Sequence, residues 1–149
     1  MKFVNADRPV IILMAEDNPT DVLIAREGFL SAKMHNTLHV ADDGIEALQF
    51  LRQRGKYADA PRPDLIVLDL NMPRKNGHEV LAEIKADEQF REIPVVVLTT
   101  SKAQEDITKA YALHANCYIS KPVDFDEFTK VVQTIQDFWL TIVTLPPLS

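Results

Sequence analysis

Polar side chains stand where apolar runs end. Glu16 and Asp17 follow Val10-Ile11-Ile12-Leu13-Met14-Ala15, Asp69 follows Leu65-Ile66-Val67-Leu68, Thr99 follows Val95-Val96-Val97-Leu98, and Lys121 comes shortly after Asn116-Cys117-Tyr118-Ile119. Any one of them reads naturally as a solvated loop charge or a helix cap. The whole set, at the ends of four separate runs, is harder to explain that way. Three carboxylates sharing a crevice repel one another, which drives one toward protonation unless a cation intervenes. Hard oxygen ligands that leave room for water suit Mg²⁺. A carboxylate held beside Mg²⁺ can attack a phosphoryl group and become an acyl phosphate. Such transfer needs positioning and charge neutralisation more than covalent machinery. Lys121 would meet phosphoryl oxygens as a point charge, and Thr99 would offer them a hydroxyl donor.

This chemistry requires the runs to be neighbouring strands. Their length and β-branched content predict strands, and their unbroken apolarity predicts burial on both faces, as in a parallel sheet. Thr37 to Ala41 and Asn116 to Ile119 are weaker strand candidates. Helical signals fill the gaps. Asn18-Pro19 supplies a cap and a first-turn proline, with Val22, Leu23, Phe29 and Leu30 as an apolar face. Ile45, Leu48 and Leu51 mark a second helix with Gly55 as its stop, and Val80, Leu81 and Ile84 a third. Ser101-x-x-Gln104 predicts a capping box before Ile107, Ala110 and Tyr111. Asp124-x-x-Glu127 opens a fifth helix on Phe128, Val131, Val132, Ile135, Phe138 and Trp139. Strict alternation predicts an α/β fold: a flavodoxin-like (βα)5 doubly wound parallel sheet of strand order 2-1-3-4-5. Its ligand site would lie outside the carboxyl ends of strands 1 and 3. The expected organisation is an N-terminal arm over 1–8, one domain over 9–140 and an apolar tail over 141–149. Residues 55–64 form its one long, proline-stiffened connection.

Bulk composition narrows the function classes. The 149 residues are 46% hydrophobic and 26% charged, as in an ordinary globular chain. A net charge of −6 without a basic cluster argues against nucleic-acid binding. A single cysteine, Cys117, suits a reducing compartment. No apolar run is long enough to span a bilayer or serve as a signal peptide, so a cytoplasmic protein is expected.

Ala15-Glu16-Asp17-Asn18, Leu68-Asp69-Leu70-Asn71-Met72-Pro73-Arg74-Lys75-Asn76-Gly77, Leu98-Thr99-Thr100-Ser101 and Tyr118-Ile119-Ser120-Lys121-Pro122 strongly resemble bacterial response-regulator receiver domains. The likeness runs from residue 9 to about residue 140. It implies a two-component phosphorelay protein that accepts a phosphoryl group from a sensor histidine kinase on Asp69. Mg²⁺ would be held by Asp17, Asp69 and the Asn71 carbonyl, with Glu16 assisting through water where many receivers carry Asp. Thr99 and Lys121 would act on the phosphoryl group, Thr99 and Tyr118 would form a switch pair, Lys121-Pro122 would be cis, and Gly77 would open the third helix. The only turnover implied is of the protein's own acyl phosphate, and output would pass by protein contact through helix 4, strand 5 and helix 5. An aspartate-nucleophile phosphatase of the haloacid-dehalogenase kind is the enzyme alternative. It resembles D-x-D, whereas Asn71 stands in the second position here.

Asp137-Phe138-Trp139-Leu140-Thr141-Ile142-Val143-Thr144-Leu145-Pro146 is similar to the tail of small regulators that partner cyanobacterial-type phytochromes. That implies a phytochrome as the kinase and a homodimer built on helix 5 and the tail. His35 and His39 lack suitably spaced metal partners and are set aside as bland. Cys117 reads as a small core residue rather than a redox sensor.

Overall fold

The computed structural model describes residues 9–31, 35–142 and 144–146. Five strands, β1 (Val10–Ala15), β2 (Asn36–Ala41), β3 (Leu65–Leu68), β4 (Val95–Thr99) and β5 (Cys117–Ser120), alternate with five helices. The helices are α1 (Pro19–Leu30), α2 (Gly44–Arg52), α3 (Gly77–Ala86), α4 (Gln104–Ala112) and α5 (Phe125–Gln136). The sheet is parallel throughout, in the order β2-β1-β3-β4-β5. Ile12 pairs with Leu65, Ile66 with Val95 and Val96 with Cys117. The expected doubly wound sheet is the observed one.

Strand residues alternate between two buried layers, as the period of two demands. Leu13, Ala15, Ile66, Leu68, Val95 and Val97 meet α2 and α3. Ile12, Met14, Leu65, Val67, Val96 and Leu98 meet α1 and α5. Fully burying each of the Val, Leu, Ile and Met chains among them is worth about 1.5–3 kcal/mol. Among the described residues no helix is long and apolar enough to cross a membrane.

Several local expectations are corrected. In α1, Leu23 and Leu30 face solvent, while Ile24, Ala25, Gly28 and Phe29 are buried. Packing selects the face with small residues, because α1 approaches Val132 of α5 so closely that a methyl at Gly28 would collide with it. Helix α2 ends at a left-handed Gln53, φ 55°, and Gly55 instead opens a short 3-10 turn over Gly55–Tyr57. The Ser101-x-x-Gln104 box does not form. The Ser101 hydroxyl bonds Asp106 at 2.6 Å, and α4 starts at Gln104 without a side-chain cap. Beyond α5 the chain widens into a π-helical segment, Asp137–Ile142. The wider turn shifts the phase, so Phe138 is 48% exposed while Trp139 packs on the α1/α5 layer.

The tail is not all surplus apolar surface, since Leu145 is buried in the α1/α5 layer. The 1–8 arm lies outside the described residues. His39 rests its ring on Phe50 at 5.2 Å, and burial, with Arg26 nearby, lowers its pKa. Cys117 packs against the α1/α5 layer, and burial pushes its thiol pKa up, the opposite of an activated thiolate.

Candidate functional site

All the singled-out polar residues except Asn71 sit on β-strands or at their carboxyl ends. Glu16 and Asp17 leave β1, Asp69 leaves β3, Thr99 ends β4, and Tyr118 and Lys121 come from β5 and its end. Close packing fixes Asp69. Gly77 opens α3 directly above it, its N–H donating to the Leu70 carbonyl at 3.0 Å. A methyl at Gly77 would strike the Asp69 carbonyl. Asn76 caps α3 in a reciprocal capping box with Glu79, a signal the sequence carries in Asn76-x-x-Glu79.

Carboxylate oxygens of Glu16, Asp17 and Asp69 lie within 4.8 Å of one another. Glu16 and Asp69 are buried and Asp17 is exposed, so the group opens to solvent on one side. Lys121, itself 4% exposed, is the cation inside. Its ammonium bonds Glu16 Oε1, Asp21 Oδ2 at 2.9 Å and Asp69 Oδ2 at 3.3 Å. Glu16 Oε2 accepts the Asn18 N–H at 3.2 Å, and Asp69 Oδ1 accepts the Asn71 N–H at 3.3 Å. Burial pushes the Glu16 carboxyl up to about 7, and the Asp69 charge adds to the effect despite the opposing bond from Lys121. Lys121 is held above the usual lysine value because its carboxylate bonds outweigh burial. One ammonium among these acids leaves the pocket short of positive charge, so a bound cation would relieve their repulsion.

Thr99 is fully buried and its hydroxyl oxygen accepts the Ser101 N–H at 3.5 Å. The Ser101 carbonyl accepts the Tyr118 hydroxyl at 2.9 Å, and the Tyr118 ring packs on the α2/α3 layer. Burial raises the pKa of that phenol, keeping it a donor. Asn71 is exposed in the loop after Asp69. The Lys121-Pro122 peptide is trans, because among the described residues no cis bond occurs. Trans is the lower-energy form by about 0.5–1 kcal/mol, and it still delivers the Lys121 ammonium to the acids.

Two contributors escaped the sequence reading. Asp21, in the first turn of α1, shares Lys121, and its signal was an acid placed just after the Asn18-Pro19 cap. Tyr111, exposed on α4, turns its hydroxyl to accept the Tyr118 N–H at 3.1 Å, covering the outer edge of β5. Nothing local to Tyr111 in the sequence marks that contact.

The response regulator receiver domain family matches residues 12–133. The chain belongs to that family. Response regulator Rcp1 of Synechocystis sp. is 46% identical over 138 residues, spanning 93% of this chain and 94% of Rcp1. The crystal structure of the Mn²⁺-bound form of Rcp1 aligns with a TM-score of 0.90 at 46% identity, covering 93% of this chain and 99% of that one. The phosphorylated cyanobacterial phytochrome response regulator RcpA gives the same TM-score, identity and coverage. As a receiver the protein is a signalling component served by a kinase. Receivers bind a divalent metal ion, and carboxylate oxygens of Glu16, Asp17 and Asp69 lie close enough together to hold one.

Proposed function

We propose that this receiver is the phosphorylation switch of a two-component phosphorelay, with Asp69 as the phosphoacceptor and a phytochrome histidine kinase as the donor. The observation that carries the reading is the Asp69 carboxylate, buried and aligned by Lys121 and the Asn71 amide beside two further acids. Mg²⁺ would be held by Asp17, Asp69 and the Asn71 carbonyl, with Glu16 assisting through water, and would supply charge neutralisation there. A carboxylate oxygen of Asp69 attacks phosphorus, the P–N bond to the kinase histidine breaks, and the imidazole leaves with the bonding pair. Lys121 neutralises the incoming oxygens, and Thr99 donates its hydroxyl to one of them. Thr99 and Tyr118 would form the switch pair, linked through Ser101, whose backbone N–H bonds the Thr99 oxygen and whose carbonyl accepts the Tyr118 hydroxyl. The only turnover is formation and hydrolysis of the protein's own acyl phosphate. Output passes by protein contact through α4, β5 and α5. The likeness to RcpA supports the choice of donor.

With a phytochrome histidine kinase, labelled ATP and Mg²⁺, label is expected to pass to this chain within minutes and to stop passing when EDTA is added. Absence of transfer from that kinase, with efficient transfer from an unrelated one, would reassign the donor.

A homodimer through α5 and the segment beyond it belongs to the same reading. Phe138, half exposed where α5 widens, supports this surface, because covering its ring with a second copy would remove apolar area from water. Since Leu145 belongs to the core, truncating the tail would damage the fold, and Phe138→Glu is the cleaner test. Sedimentation at tens of micromolar should give a dimer for the wild type and a monomer for Phe138→Glu. A monomeric wild type would refute the dimer.

A further inference from the structure

We infer that Arg74 is a positioning residue: paired with Asp43 at the start of α2, it holds the loop after Asp69 so that the Asn71 carbonyl is available to the cation. This rests on the cation site proposed above.

Arg74 has φ 65°, in the left-handed region that non-glycine residues avoid. It is the centre of a tight turn closed by the Lys75 N–H donating to the Pro73 carbonyl at 2.7 Å. Conformations of this kind persist only where surrounding contacts over-determine them. Here the contacts are specific. Arg74 Nε donates to Asp43 Oδ2 at 2.7 Å, and Arg74 Nη2 forms an ion pair with the same oxygen at 2.6 Å. Asp43 is 6% exposed, and its other oxygen caps α2 by accepting the Glu46 N–H at 2.9 Å. Burial alone would raise its carboxyl pKa, but the Glu46 amide and Arg74 outweigh that and keep it ionised below the usual range. The loop sits directly on α2, since a methyl at Gly44 would meet the Lys75 carbonyl and Val80. Lys75 pairs with Glu83, which also takes Arg52 at 3.2 Å from the far end of α2. The turn is thereby clamped against both ends of one helix.

Asn71 is exposed and held locally by one long bond to Asp69. Its orientation depends on the anchors that follow it, Met72 in the core and then Arg74. Met72 sets where the loop enters the core, and the Arg74 turn sets how the chain leaves it. Residues that orient a metal ligand typically change metal affinity about 10–100-fold when removed.

The test is Mn²⁺ affinity, read from the free-ion electron paramagnetic resonance signal, alongside melting temperature. Arg74→Gly accepts the left-handed φ but lacks the pair, and Asp43→Ser keeps a helix cap but cannot reach Arg74. Each is expected to bind Mn²⁺ about tenfold more weakly than wild type. The double variant should be no weaker than either single, and Arg74→Lys should recover most of the loss. A purely structural pair would lower the melting temperature and leave affinity alone. Affinities within about twofold of wild type in both folded single variants would overturn the inference and assign the loop to Met72. A wild type that binds no Mn²⁺ would overturn the cation site itself.

Discussion

With acetyl phosphate and Mg²⁺, the wild-type chain is expected to gain the mass of one phosphoryl group and Asp69→Asn to gain none. The neighbouring acids do not provide a substitute acceptor. Glu16 is raised to about 7 and so holds its proton over much of the neutral range, Asp21 is not among the three clustered acids, and Asp17 stands in solvent at the mouth of the pocket. The carboxamide that replaces the Asp69 carboxylate keeps the shape and an oxygen for the cation, but it is a poor nucleophile and adds no negative charge. The variant should fold at least as well as wild type without metal, because the Asp69 charge is one of the influences raising the Glu16 carboxyl. Intact mass and a melting curve read both halves of the expectation. A phosphoryl adduct on the folded Asp69→Asn variant would move the acceptor elsewhere.

In EDTA, stability is expected to fall as pH rises from about 4.5 to about 7, in proportion to the Glu16 titration. Glu16 has an ordinary value of 4.5 and is raised to about 7 in the fold, burial being the main cause. Below 4.5 the group is protonated folded and unfolded, and its contribution is fully present. Between the two values the folded state keeps a proton that the unfolded chain has released. Above 7 both states are ionised and the contribution is gone, at a cost of about 3 kcal/mol. Mg²⁺ at pH 8 should restore stability by binding the ionised folded form. Glu16→Gln isolates the effect, since Lys121 keeps Asp21 and Asp69 as partners. Urea midpoints of the two proteins at pH 5 and pH 8 give the comparison. Parallel pH dependence would show that Glu16 does not titrate in this window.

Strand positions and sheet order were legible in the sequence because a strand buried on both faces must be apolar throughout, and alternation with helices leaves few topologies. The acids and Thr99 were legible for the same reason, since each abruptly ends such a run, while Lys121 follows the half-buried β5, and parallel strands bring all their carboxyl ends to one edge. Helix faces were less legible. The choice of Ala25 and Gly28 over Leu23 and Leu30 depends on how closely α5 can approach, which is a property of the pair of helices. The phase shift that exposes Phe138 and the return of Leu145 to the core likewise depend on what already fills the α1/α5 layer. Within the site, residue types were determined locally, but partners were not. Asp21 reaches Lys121, Tyr111 caps the Tyr118 amide, and Arg74 finds Asp43, each across a distance in sequence that only the closed fold removes. Glu16 makes the same point for charge. Its position was plain from the end of β1, but its raised pKa arises from burial among groups that three other elements bring to it.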